Sequence, residues 1–540
     1  MDPDLMEPVG SLLGHFERAV AEAADAVGLW YFDRELSFGE VSARSWSLAR
    51  GLHDRGVRPG DRVAVLGQNT PVTVIVHVAV WRLGGVVVPL NPMLTARELG
   101  FQLTDSGSKI VIVEADRAPE MEQAVAGTEV ESVLVSFAAE LLGDDVAEVV
   151  RGAATRVDLP SGWELVGPLL RPADHQPGPT RIPAPDDIAL LTYTSGTTGV
   201  PKAATNTHGN AAFSAEVYRS WQRLGPGDVI LGAAPLFHIT GLIAHIGTAF
   251  VSRCPLVLGY RFEPATILRL IDLHRCTTTV AAITAYISLM DHPEFGRARL
   301  DGFDKLFSGG APVAPGVVAR WEDLTGTYIH NAYGLTETTS PSHLVPLGTR
   351  APVDELTGAL SVGVPVPSTY CRVVDVDSGE DVPPGEVGEL LTAGPQVVPG
   401  YWRRPEQNLE CFVDGRWLRT GDIARADTEG WHYVVDRAKD MIVASGFKVW
   451  PREVEDVFAT HPAVSEAAVV GVEDPYRGEA PIAFVVPVPG AEVTAAELES
   501  HARANLAAYK IPRKIEVVTA LPKTATGKIL RRELRETGPA

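Results

Sequence analysis

The chain has 540 residues, 45% hydrophobic and 21% charged, a composition that builds large cores and excludes a mostly disordered protein. Its 47 basic and 68 acidic side chains leave a net charge of −21, which repels phosphate backbones and argues against a nucleic-acid partner. Length admits either several domains of about 150 residues or one large α/β body with a satellite.

The opening Met1-Asp2-Pro3-Asp4 is acidic where a secretory leader is basic. Ser11 to Ala21 carries the helical stripe Leu12, Leu13, Phe16, Val20, and residues 62–66 and 109–113 are short apolar runs suited to buried strands. The most membrane-like stretch, Val72 to Leu90, is interrupted by His77 and Arg82 and falls short of about 18 uninterrupted apolar residues. These features predict a cytoplasmic protein that does not span a membrane. Cys254, Cys276, Cys371 and Cys411 are too dispersed for a CxxC pattern and read as free thiols in a reducing compartment.

A proline cluster from Pro172 to Pro185 leads into the apolar run 188–193, which reads as a strand entering a loop rich in glycine, serine and threonine. After Asp436 the texture changes. A helix starting at Pro451 carries Val454, Val457 and Phe458, residues 481–488 read as a strand, Thr494 and Glu497 form a capping box, and Ile515 and Val517 mark a last strand. The fold class is therefore α/β: a large N-terminal lobe of several subdomains with helix-covered sheets (1–436), then a small, mobile α+β lid (437–540). Charge divides at the same place. From Arg437 onward basic and acidic residues balance at 14 each, and from Lys510 onward eight basic residues face three acidic ones, a tail expected to attract an anion.

Five loops carry chemistry. Ser195 to Lys202 concentrates hydroxyls, two glycines and a lysine after a strand, a composition suited to wrapping a polyphosphate, without the Gly-Lys-Ser/Thr of a Walker loop. His330 to Thr338 combines an aromatic ring, a glycine, hydroxyls and the carboxylate of Glu337. Residues 308–312 present small side chains to a planar ligand, Asp422 offers a carboxylate at a turn, and residues 521–528 present two lysines around a glycine. Singly, most of these are ordinary turns; their order is the signal.

That order resembles the adenylate-forming superfamily of acyl- and aryl-CoA synthetases, luciferases and adenylation domains, closest to fatty-acid and 4-coumarate-type CoA ligases. The carrying strings are Thr194-Ser-Gly-Thr-Thr-Gly-Val-Pro-Lys202, Tyr333-Gly-Leu-Thr-Glu337, Arg419-Thr-Gly-Asp422, Asp436-Arg-Ala-Lys-Asp-Met-Ile442, Ser445 through Glu455, and Pro522-Lys-Thr-Ala-Thr-Gly-Lys528. Two positions depart from the commoner pattern, Ala203 and Asp436, and neither removes a charged group.

The resemblance implies an AMP-forming acid-thiol ligase with ATP, Mg²⁺ and CoA, working through an acyl-adenylate. It places Thr194, Ser195, Gly196, Thr197, Thr198, Gly199 and Lys202 around the β- and γ-phosphates. Gly309, Gly310, Ala311 and Tyr333 would line the adenine slot, Asn331, Ala332 and Gly334 would also belong to the ATP/AMP site, and Asp422 and Arg437 would bind the ribose. Thr336 would touch the α-phosphate and Glu337 the metal, while Lys528 would bridge carboxylate and α-phosphate. His238 would gate the acid, Lys439 would be the hinge, and Ser445, Gly446 and Phe447 would line the thiol channel.

For the acid pocket the expected positions are His238, Thr240, Ala244, Thr284, Gly334 and Thr338, with a medium- or long-chain fatty acid favoured over an aryl acid. The alternatives are a freestanding enzyme loading a carrier protein, disfavoured because no carrier domain follows, and a degenerate binder that does not turn over. A homodimer is compatible with this reading.

Overall fold

The computed structural model describes residues 10–142, 150, 158–172, 182–194, 201–297, 299–355, 357–437, 440–444, 447–474, 478–488, 490–524 and 529–537. Among these, a large N-terminal α/β body carries three sheets, and a small α+β unit with a fourth sheet follows.

The first sheet is seven-stranded, in the order Glu164–Leu165, Ser132–Ser136, Ser108–Glu114, Arg62–Leu66, Val86–Leu90, Ile188–Thr194, Lys202–Thr207. It is parallel except for the last pair, an antiparallel hairpin that aligns Thr194 with Lys202 across the glycine-rich loop. The second is nine-stranded, with a parallel interior running from Ile329–Leu335 through Lys305–Gly309, Thr278–Ala281, Ile230–Leu231 and Leu256–Leu258 to Val27–Tyr31. Antiparallel strands close both edges. The third sheet is antiparallel, built on Tyr370–Val374, Gly388–Ala393, Trp417–Ala426 and His432–Arg437.

The expected local elements appear with their caps. Helix Leu12–Ala23 starts at Ser11, whose hydroxyl accepts from Gly14 N at 3.1 Å. The 62–66 and 109–113 runs are buried strands, and Thr494 and Glu497 form the reciprocal box that opens helix Ala495–Asn505. In helix Pro451–Ala459, Val454 and Phe458 are buried whereas Val457 is half-exposed.

The membrane-like stretch folds as a fully buried helix, Pro71–Arg82, followed by the buried strand Val86–Leu90. Every side chain of Pro71–Arg82 is buried, and one continuous core joins it to Val63 and Val87 of the first sheet and Val257 and Phe307 of the second. Of its two polar interruptions Arg82 is fully paired inside, whereas His77 is paired at Nδ1 and has no hydrogen-bond partner at Nε2 among the described residues. His77 Nδ1 lies 2.7 Å from Thr73 O, and Arg82 reaches Glu17 at 2.8 Å, donates to Ser42 and Ser45, and stacks 3.9 Å over the Trp46 ring. Among the described residues no helix is long and apolar enough to cross a membrane.

The C-terminal unit has its own core, in which Ile442, Val449, Val454, Phe458, Val469 and Leu498 meet. Of the eight basic side chains from Lys510 onward, six pair with acidic groups of the same unit among the described residues, while Lys528 lies outside them. Lys510 pairs with Glu453 and Arg513 with Asp474; Lys514 pairs with Glu516 and Lys523 with Glu466, both at 2.6 Å; Arg531 pairs with Glu455 at 2.6 Å and Arg535 with Asp440 at 2.8 Å. Charges far apart in sequence cancel once strands and helices pack.

Candidate active site

Two side-chain clusters form where the second and third sheets meet the 194–202 hairpin. The first is built on Asp422. Strand Trp417–Ala426 bends at Gly421, whose φ of +70° lies in the left-handed region, and register then sets Asp422 opposite Arg437 on the neighbouring strand. The Asp422 carboxylate is 2% exposed and accepts from Arg437 Nε at 2.8 Å and from the Tyr333 hydroxyl at 2.6 Å. Asp422 in turn holds the Arg437 guanidinium more firmly protonated. Burial, reinforced by the Asp422 charge, drives the Tyr333 phenol well above its usual range. The result is an aromatic ring beside a carboxylate and a fixed cation, a set suited to a base and a vicinal diol.

The second cluster is built on Glu337. The turn that carries Thr336 and Glu337 is strained: Thr339 and Ser340 have φ of +47° and +89°, a conformation that costs on the order of 1–3 kcal/mol per residue. Specific bonds hold it. Thr338 Oγ1 accepts from Leu335 N at 2.7 Å and sits 2.9 Å from Ser340 O, Asn206 Nδ2 donates to Thr336 O and Thr339 Oγ1 at 3.0 Å, and Tyr218 meets Ser340 Oγ at 3.0 Å. A Cβ at Gly334 would lie 1.5 Å from Ser340 O, so glycine is required there by the turn itself. Within this frame the Tyr401 hydroxyl donates to Glu337 Oε1 at 2.6 Å, and Lys202 Nζ sits 5.2 Å from the Tyr401 ring centroid.

Gly309 and Gly310 end the strand that borders Ile329–Leu335. A Cβ at Gly309 would lie 2.8 Å from Ala332 O, and Gly310 has a φ of +81°, so the two strands approach closely at this edge. Ala311 follows, half-buried. Asn331 is buried with its amide donated to Ser361 O at 3.1 Å, and Ala332 is likewise buried. On the acid side, His238 Nδ1 accepts from Thr240 N at 3.3 Å and lies 3.2 Å from Thr240 Oγ1, an arrangement that leaves the proton on Nε2. Thr284 is half-buried, and Ala244 and Thr338 are enclosed.

Thus the structure brings Tyr333, Asp422 and Arg437 into one cluster and Glu337 and Lys202 into the other. Ser195, Gly196, Thr197, Thr198, Gly199, Lys439, Ser445, Gly446 and Lys528 lie outside the described residues, and Phe447 is described as backbone in strand Phe447–Val449. Tyr401 and Asn206 are additions that sequence reading did not single out. Neither stands in a catalytic-looking string; Asn206 could be suspected only as a polar residue buried in a strand, and Tyr401 carries no such signal.

Residues 16–402 match the AMP-binding enzyme family, and residues 453–528 match the AMP-binding enzyme C-terminal domain. The chain is 34% identical over 528 residues to a long-chain-fatty-acid–CoA ligase of Bacillus subtilis (strain 168), covering 96% of this chain and 93% of that one. It is 38% identical over 500 residues to a feruloyl-CoA synthase of Amycolatopsis sp., covering 93% of each. Among solved structures, the anthranilate CoA ligase AuaEII in complex with anthranoyl-AMP superposes with a TM-score of 0.86 at 28% identity, over 99% of this chain and 98% of that one. The ordered motifs, the two clusters and these likenesses agree: the chain belongs to the AMP-binding enzyme family and is an AMP-forming ligase of the adenylate-forming superfamily.

Proposed function

We propose that this enzyme activates a hydrophobic carboxylic acid, a medium- or long-chain fatty acid in the first instance, as its adenylate and passes the acyl group to CoA with release of AMP and pyrophosphate. The observation that carries this reading is the pair of clusters centred on Asp422 and Glu337, in which Tyr333, Asp422, Arg437, Glu337 and Lys202 stand at positions that match motifs of the family. The likeness to a long-chain-fatty-acid–CoA ligase along nearly the whole chain supports the acid class.

In the first half-reaction the Tyr333 ring stacks the adenine, and Asp422 takes the ribose hydroxyls with Arg437 fixing its orientation. The 195–202 loop and Lys202 hold the β- and γ-phosphates, and Thr336 contacts the α-phosphate. Glu337 suits Mg²⁺: it is a hard oxygen donor with one carboxylate oxygen steadied by Tyr401. A bound Mg²⁺ would neutralise phosphate charge as it develops. Lys528 brings the acid carboxylate and the α-phosphate together against their repulsion. His238 closes the pocket beside that carboxylate, with its Nδ1 side tied to Thr240.

For the second half-reaction the unit beginning at 437 turns about Lys439, removes Lys528, and opens a path along Ser445, Gly446 and Phe447 for the CoA thiol. A cytoplasmic location accords with the described cysteines, which are all free.

The deciding experiment is a carboxylate panel with ATP and CoA, read as AMP release. It should include fatty acids of graded length beside ferulate-, coumarate- and benzoate-type acids, because a feruloyl-CoA synthase is also a relative. Preference for an aryl acid would overturn the fatty-acid assignment, and turnover only with carrier-bound pantetheine would overturn the CoA assignment.

A further inference from the structure

Behind the adenine wall lies a cluster that the proposed chemistry does not use. His343 comes from the antiparallel edge of the nine-stranded sheet, Cys371 from the end strand Tyr370–Val374 of the third sheet, and His432 from strand His432–Arg437. One imidazole nitrogen from each histidine and the Cys371 sulfur all lie within 4.8 Å of one another. The two histidines are buried, with ring centroids 4.6 Å apart, and Cys371 is half-buried on the edge strand, whose neighbouring Tyr370 is 58% exposed.

Hydrogen bonding sets which nitrogens are free to ligate. His432 Nδ1 lies 3.2 Å from Gly430 O, a partner that can only accept, so this nitrogen carries the proton and Nε2 keeps its lone pair. Ser342 Oγ donates to Tyr333 O at 3.4 Å and therefore accepts from His343 Nδ1 at 3.0 Å, which frees His343 Nε2. That Nε2 lies 3.4 Å from Cys371 Sγ and receives its S–H. Outer bonds from Nδ1 to a carbonyl and a hydroxyl, which leave the lone pair on Nε2, are the usual support of metal-bound histidine.

From this juxtaposition we infer that His343, Cys371 and His432 form a binding site for a single thiophilic cation, with Zn²⁺ the first candidate. Binding exchanges the Cys371 S–H proton, which leaves to solvent, for an S–metal bond, and two neutral imidazoles complete a three-ligand set with the fourth position open. Ligand bonds of about 2.0–2.3 Å require the three side chains to draw in by roughly 1 Å, within the reach of rotamer adjustment. The site joins strands of two sheets. The Tyr333 ring centroid lies 5.6 Å from that of His343, so occupancy reports directly on the adenine wall.

The test uses chelator-treated full-length enzyme titrated with Co²⁺ and then with Zn²⁺. Expected is one Co²⁺ per chain, with a near-ultraviolet thiolate charge-transfer band and tetrahedral visible bands that Zn²⁺ abolishes. Mg²⁺-type oxygen ligation at Glu337 produces no thiolate band. The bands should vanish in Cys371→Ser and persist in Cys411→Ser, the control for the thiol beside Tyr401. Absence of the thiolate band in the unaltered enzyme, or its survival in Cys371→Ser, overturns the proposal. If Cys371→Ser does not fold, alkylation of the unaltered enzyme decides: Zn²⁺ must slow modification of Cys371, mapped by mass spectrometry, and no protection overturns the site.

Discussion

The Tyr401 hydroxyl donates a 2.6 Å hydrogen bond to the Glu337 carboxylate across 64 residues of sequence, and the same Tyr401 ring lies beneath the Lys202 ammonium at 5.2 Å. One side chain thus orients both the carboxylate assigned to the metal and the lysine assigned to the phosphates. Tyr401→Phe keeps the ring and removes the bond. Pyrophosphate exchange should fall by about 10–100-fold, the usual effect of losing a partner behind a metal ligand. Raising Mg²⁺ should partly restore it, and thermal unfolding should move little. Full activity at limiting Mg²⁺ would refute the role.

Asp422→Asn preserves shape and removes the charge that Arg437 and Tyr333 share. Breaking a fully buried pair costs about 3–5 kcal/mol. Arg437 is 36% exposed, and water screens part of that loss, so a stability decrease of about 2 kcal/mol is expected. KM for ATP should rise much more than KM for the acid; equal changes in both would contradict the ribose assignment.

Lys528→Ala separates the two half-reactions. Acid-dependent pyrophosphate exchange should disappear, while conversion of supplied acyl-adenylate and CoA to thioester survives. Lys439→Pro should show the opposite pattern if that residue is the hinge. Equal loss of both halves in either variant would overturn its assignment.

Glu114, a carboxylate outside the two clusters, provides a pH signature. Burial raises its carboxyl from 4.5 to about 7, against a bond from Gln68 N at 3.0 Å that favours ionisation. With the folded pKa above the unfolded one, the native state binds more protons between these values. Stability from this group is therefore complete below about pH 4.5 and declines as pH rises toward 7. At about 1.4 kcal/mol per unit, the loss is about 3 kcal/mol. Glu114→Gln should flatten this limb in denaturant titrations at graded pH; an unchanged slope would count against it.

Features made within a few residues were legible from the chain alone. The Ser11 cap, the Thr494 and Glu497 box, the buried strands at 62–66 and 188–194 and the ordered motif strings depend on local backbone geometry and side-chain type. So did the family, because the loops of a nucleotide site are short and keep their spacing. That Val72 to Leu90 does not span a membrane was legible from its interruptions at His77 and Arg82, but the placement of helix Pro71–Arg82 between two sheets was not, and the contacts of Arg82 with Glu17 and Trp46 and the shared core show it.

Pairing across the chain was decided by tertiary structure. Strand register placed Arg437 opposite Asp422, packing carried Tyr401 to Glu337, and the meeting of two sheets gathered His343, Cys371 and His432. The basic tail shows the same division. Its composition announced positive charge, whereas the field it presents depends on acidic partners such as Glu453, Glu455 and Glu466 that folding sets beside it. Sequence determines which groups are present and how each short segment turns. Interaction energy depends on distance and burial, which exist only after the sheets have closed.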